Sequence, residues 1–132
     1  MSVLLDTDVA IHLRDGGREI RARMADLPGP PAISLVSLIE LKGGAMSGPL
    51  SEQRRRRLDA MLQAIEVVAL DEPIVDVYAD IVAELGFLRS RILDCLIAAT
   101  AVVNGFTLIT INGAHFRNIP DLNLEVWPSP AQ

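Results

Sequence analysis

Short apolar runs alternate with longer helical patterns along the chain, and this alternation limits the folds open to it more than any other feature. Val3–Asp6 is an apolar run that ends at a carboxylate and predicts a first strand. Val9–Leu13 continues as a helical turn and Glu19–Leu27 as a charged amphipathic helix, stopped by Pro28-Gly29-Pro30-Pro31. Ala32–Leu35 predicts a second strand, and Val36–Ala45 a helix that ends at or just beyond Gly43-Gly44. After the Ser47-Gly48-Pro49 loop, a basic helix runs from Ser51 and Arg54 to Leu62. Glu66–Leu70 predicts a third strand, and Pro73 suits the first turn of a helix reaching Leu85 and closed by Gly86. Leu93–Asn104 reads as an apolar helix, and Thr107–Thr110 and Leu122–Trp127 as the fourth and fifth strands. Strands alternating with helices imply α/β layering around a mostly parallel sheet of four to five strands.

The 132 residues suit a single domain over 1–132, and half of them are hydrophobic, so a packed core is expected rather than disorder. The most apolar uncharged run, near Cys95–Val103, falls far short of the roughly 18–20 residues that cross a bilayer, so no membrane partner is expected. No basic region precedes the first apolar stretch, which Asp6 and Asp8 interrupt at once; a secretory leader is not expected, and a cytoplasmic location is. Cys95, the lone cysteine, reads as core packing in a reducing compartment. A net charge of −5 argues against a protein that coats nucleic acid indiscriminately. It leaves open an enzyme that brings phosphates in through bound cations, or one that collects its arginines in a patch.

Three acids stand at the edges of apolar elements. Asp6 closes the first strand, where a carboxylate can cap the helix that follows; Asp8 can be that cap instead. Glu40 shares a helix side with Val36, Ser37, Gly43 and Gly44, which leaves room around it, and a solvated charge paired with Lys42 is the alternative. Asp94 opens an otherwise apolar helix beside Ile97 and Ala98, so its carboxylate needs a partner: the helix dipole, Arg91 or a divalent cation. Mg²⁺ takes oxygen ligands from a few carboxylates plus waters and phosphates, and convergence of these acids on one crevice would provide them. His12, His115 and Cys95 have no zinc spacing, and no phosphate-binding Gly-rich loop or G-x-S-x-G elbow occurs.

In Leu4-Leu5-Asp6-Thr7-Asp8-Val9, Ser34 to Gly43, Asp94-Cys95-Leu96-Ile97-Ala98-Ala99-Thr100-Ala101, Thr107-Leu108-Ile109-Thr110-Ile111-Asn112 with Phe116, and Leu122 to Trp127, the chain resembles the PIN-domain ribonucleases. It is most similar to the VapC-type toxins of bacterial toxin–antitoxin pairs, over nearly its whole length. The resemblance implies a three-layer α/β/α sandwich around a small sheet, with an acidic pocket for Mg²⁺ or Mn²⁺. It also implies hydrolysis of RNA phosphodiesters by a metal-activated water. The family's three acids fall on Asp6, Glu40 and Asp94, its metal ligands. Its common fourth acid is replaced, with Asn112 and His115 where aspartate is usual, which leaves a second metal open and gives Asn112 a place among the catalytic residues. Asp8 stands where asparagine is common, and Thr7 and Ser37 are hydroxyls placed to orient a carboxylate. A small cognate antitoxin covering the pocket and a homodimer are implied as partners.

Arg14, Arg89 and Arg91 are candidates for RNA contact, and the Arg54 to Arg57 run is either a steering patch or a solvated helix face. Few aromatic residues are available for base stacking, so recognition through RNA shape and backbone is expected. Two rivals remain. A PIN module that has lost catalysis would account for the missing fourth acid. A haloacid-dehalogenase-like phosphatase would use Asp6 as nucleophile and Asp8 as acid/base, although no acid follows Thr107–Thr110 until Asp121.

Overall fold

The computed structural model describes residues 2–130. Among them, five strands form one sheet in the order β3-β2-β1-β4-β5, every neighbouring pair parallel. The strands are β1 (Val3–Leu5), β2 (Ala32–Ser34), β3 (Glu66–Val68), β4 (Thr107–Thr110) and β5 (Asn123–Val126). Six helices connect or follow them: α1 (Thr7–Arg14), α2 (Arg18–Ala25), α3 (Leu35–Gly44), α4 (Ser51–Leu62), α5 (Glu72–Leu85) and α6 (Ile92–Asn104). The sheet is wholly parallel, and the expected α/β/α sandwich is present.

The layering follows from side-chain alternation in strands that are buried on both faces. Leu4, Ala32 and Leu108 point to one side, where they pack with Ile74 and Ile81 of α5 and Ile97 and Ala101 of α6. Leu5, Ile33 and Ile109 point to the other, against Val9 of α1, Ile20 of α2 and Leu58 of α4. Cys95 is buried in the first of these clusters, as the sequence predicts.

Helix boundaries move by a residue or two, and at α1 and α3 a side-chain cap sets the start. The first helix starts at Thr7 because Asp6, not Asp8, is its N-cap: the Thr7 amide donates to Asp6 Oδ1 at 2.8 Å. Asp8 lies within the first turn and is exposed. The second strand stops at Ser34, whose hydroxyl accepts from the Ser37 amide and opens α3 one residue early. Two 3-10 turns, Arg89–Arg91 and Gly113–His115, were not legible in the periodicity. Gly105 ends α6 with φ +68°, a left-handed conformation that costs glycine nothing.

Ile97 is fully buried between the sheet and α5. Ile97→Ala is therefore expected to destabilise the fold by roughly 2–5 kcal/mol, a loss that urea unfolding will register as a lower midpoint at unchanged slope.

Candidate metal centre

The strand register explains how the acids come together. Leu5 pairs with Ile33 on one side and Ile109 on the other, so the next residues, Ser34, Asp6 and Thr110, stand in line at the carboxyl ends of the three central strands. Crevices outside the carboxyl ends of such strands are where α/β sheets bind ligands. Asp6 is 4% exposed. Its Oδ1 accepts from the Thr7 amide, and its Oδ2 from the Thr110 hydroxyl at 2.9 Å. The Asp6 amide donates to the Ile109 carbonyl, locking β1 against β4 at that point.

Glu40 reaches the same edge from α3. The Thr7 hydroxyl donates to Glu40 Oε1 at 2.7 Å. With that proton committed, the Ser37 hydroxyl must be the donor in its 2.9 Å contact with Thr7, and Ser34 in turn donates to Ser37. Three buried hydroxyls thus form a one-way chain, Ser34 to Ser37 to Thr7, ending on the Glu40 carboxylate. The orienting role expected of Thr7 and Ser37 is what the geometry assigns them.

Asp94 lies in the first turn of α6 and is half-buried. The sequence suggests that it has little polar company; the structure corrects this, because His115 Nδ1 stands 3.1 Å from Asp94 Oδ2. Asn112 and Asp8 meet as well, the Asn112 amide group donating to Asp8 Oδ2. Burial holds the Asp94 carboxyl above the usual carboxylate range, with Asp8 adding to the effect and His115 and Arg91 opposing it. Burial also pushes Asp6 up to about 6, against the Thr110 and Thr7 hydrogen bonds, with Asp8 and Asp94 raising it further. The charges of Asp8 and Asp94 thus reach Asp6, that of Asp8 reaches Asp94, and Glu40 is linked to Asp6 through Thr7.

Among the described residues, no three Asp, Glu, His or Cys side chains stand ready-made around one ion position. The donor set fits a hard cation nonetheless. Mg²⁺ is usually held by one or two carboxylates and keeps several of its waters, so it needs no preformed three-ligand cage. The pocket is rich in carboxylate oxygens, and among the described residues no lysine or arginine forms an ion pair with Asp6, Glu40 or Asp94.

The arginines divide differently from expectation. Arg14 is not brought to the pocket: it sits at the opposite end of α1, 7% exposed, with its Nε 3.0 Å from Asp15 Oδ1. Arg91 borders the pocket and donates to the His115 carbonyl, while Arg89 is exposed next to it. In the Arg54 to Arg57 run, Arg56 pairs with Glu52 and Arg57 donates to the Asp15 carbonyl. A cleft of about 610 Å³ lies between α1, α2 and α4, lined by Leu13, Arg14, Met61 and Ile65 among others, away from the acidic edge. The sequence reasoning missed Thr110 and the His115 contact. Thr110 was within reach of the same rule that singled out Asp6, being a polar residue at a strand's carboxyl end.

Asp6 keeps its proton in the fold up to about pH 6, whereas an unfolded aspartate loses it near pH ~4. Between these values the native state binds the extra proton, so Asp6 contributes stability below pH ~4 that is lost as pH rises through about 6, roughly 3 kcal/mol at 1.36 kcal/mol per unit. Unfolding of metal-free protein at acid and neutral pH is expected to show Asp6→Asn gaining on the wild type by that order as pH rises.

Comparison with known proteins agrees with this architecture. The model of the PIN domain family matches residues 3–122. Ribonuclease VapC8 of Mycobacterium tuberculosis is 35% identical over 106 residues, 76% of this chain and 90% of that protein. Ribonuclease VapC2 of Rickettsia felis is 33% identical over 99 residues, 73% of each chain. Among solved structures, VapBC2 from Rickettsia felis bound to a DNA fragment from their promoter superposes with a TM-score of 0.86 at 26% identity, covering 96% of this chain and 99% of that one.

Proposed function

The chain belongs to the PIN-domain family, among its VapC-type nucleases, and on that premise we propose that it is a Mg²⁺-dependent endoribonuclease, the toxin of a toxin–antitoxin pair. The reading is supported by Asp6 at the carboxyl edge of the sheet, with Glu40 linked to it through Thr7 and Asp94 close enough for its charge to raise the proton affinity of Asp6. Asp6 and Asp94 would hold the ion, with Glu40 beside them and Asn112 at the rim; Mn²⁺ would be accepted by the same oxygens. When bound, Mg²⁺ supplies the charge that receives an RNA phosphate and makes a water nucleophilic near neutral pH.

The chain's own residues do the positioning. Thr7 and Thr110 hold the two Asp6 oxygens, and the hydroxyl chain through Ser37 holds Glu40, so both acids are aimed before any substrate arrives. Arg89 is exposed two residues before Arg91, which reaches the His115 carbonyl, and is suited to an RNA phosphate. Arg14, tied to Asp15, is left as a strut of α1.

Two partners follow from the same reading: a cognate antitoxin and a second copy of the chain. Relatives solved as VapBC toxin–antitoxin complexes support the first. The exposed apolar side chains of Phe87, Leu88 and Leu93 support a covered surface in either assembly. Among the described residues no helix is long and apolar enough to cross a membrane, and we place the protein in the cytoplasm as part of this proposal. The phosphatase alternative is set aside by the PIN match, while the non-catalytic module keeps one observation in its favour: Asn112, in place of an acid, is spent on Asp8.

Wild-type protein is expected to cleave RNA with Mg²⁺ and to stop on chelation. Asp94→Asn or Asp6→Asn should stay folded and lose about 100-fold or more in cleavage. Mg²⁺ at 100 times its Kd should raise stability by about 2.7 kcal/mol in the wild type. An Asp94→Asn protein as active as the wild type would overturn the proposal, and a wild type that binds Mg²⁺ without cutting RNA would favour the module. Arg89→Ala should weaken RNA binding and flatten the slope of log affinity against log salt by about 0.7.

A further inference from the structure

The segment that leaves β4 donates one hydrogen bond to each aspartate of the pocket in turn. Thr110 donates to Asp6, Asn112 to Asp8, and His115, through Nδ1, to Asp94. Asp6 and Glu40 are held by hydroxyls, from Thr110 and Thr7. Along α6, the neighbours of Asp94 at helical spacing, Ile97 and Ala98, are fully buried and apolar. We infer that His115 is the positioning residue of Asp94: its Nδ1–H fixes Oδ2 and so turns Oδ1 toward the pocket.

The backbone around His115 is secured as an aiming device would need to be. A Cβ on Gly113 would meet Val126 Cγ2 at 2.8 Å, so the 3-10 turn lies directly on β5 and a larger residue there would force Val126 to shift. Phe116 anchors the far side at 1% exposure. The Asn112 amide donates to the Thr110 hydroxyl at 2.9 Å, and the Arg91 guanidinium donates to the His115 carbonyl. The imidazole itself is 58% exposed. A side chain that contributes so little to the core, on a turn held at four points, is explained by its contact with Asp94. This inference rests on the metal reading above, because orienting Asp94 matters only if its free oxygen has an ion to meet.

The two ring nitrogens can be separated by substitution, since an asparagine amide nitrogen stands near the place of Nδ1 and a glutamine amide nitrogen near that of Nε2. Titration calorimetry with Mg²⁺ alone, on the full chain, reads the effect without relying on catalysis. His115→Ala and His115→Gln are expected to weaken Mg²⁺ binding about 10- to 100-fold, with His115→Asn restoring most of it. Melting temperatures should stay at the wild-type value, as the side chain is exposed. Adding His115→Ala to Asp94→Asn should cost nothing further, because the two act as one unit. His115→Ala binding as tightly as the wild type overturns the inference alone, as does rescue by glutamine rather than asparagine. A wild type that takes up no Mg²⁺ overturns the metal reading and this inference with it.

Discussion

A carboxylate removed from water must be compensated, and the fold is arranged around compensating Asp6. Its two oxygens take the first amide of α1 and the hydroxyl that ends β4, while its own amide donates to the Ile109 carbonyl. One residue thus ties the first strand, the first helix and the fourth strand together at the edge where the chemistry is proposed. The compensation is incomplete by design of the surroundings: burial and the nearby charges of Asp8 and Asp94 still raise its proton affinity. A pocket in that state gains from any cation that enters, because one ion relieves several mutual repulsions at once.

The remaining pocket residues are held to tolerances that a loop-built site would not reach. Ser34, Ser37 and Thr7 are buried, and their hydroxyl protons run in one direction toward Glu40. Reversing the Ser37–Thr7 link would take the Thr7 proton from Glu40 and leave two acceptors facing each other, so the chain has a single low-energy arrangement. The β4–β5 connection adds its own donors at Thr110, Asn112 and His115. Acidic side chains that would repel one another are thereby kept in register by hydrogen-bond donors rather than by arginine ion pairs.

Net charge and local charge point in different directions. A chain of charge −5 would repel RNA if its charge were smeared evenly. Here several arginines are spent on the protein itself, Arg14 on Asp15, Arg57 on the Asp15 carbonyl and Arg56 on Glu52. Arg91, close enough to Asp94 for its charge to act on it, donates to the His115 carbonyl, and Arg89 nearby in sequence is exposed. RNA would then be received by a small basic lip and a cation-loaded pocket rather than by a broad basic face, which suits an enzyme better than a coat protein.

The sequence alone determined the layering, because strand and helix identity follow from local period and from punctuation. The apolar runs at Val3–Leu5 and Thr107–Thr110, the proline cluster after α2 and Gly86 after α5 placed the elements to within a residue or two. The three acids were legible for the same reason, each being a charge at the edge of an apolar element, and the family resemblance then gave them roles. What tertiary structure decided was partnership. That Asp6 rather than Asp8 caps α1, that Thr110 meets Asp6 across 104 positions and that His115 meets Asp94 are matters of strand register and turn geometry. The same holds for Arg14, an arginine in composition like any other, which only the packing of α1 withdraws to Asp15. Periodicity encodes which face of an element is buried; it carries no record of which polar group on a distant element will stand opposite.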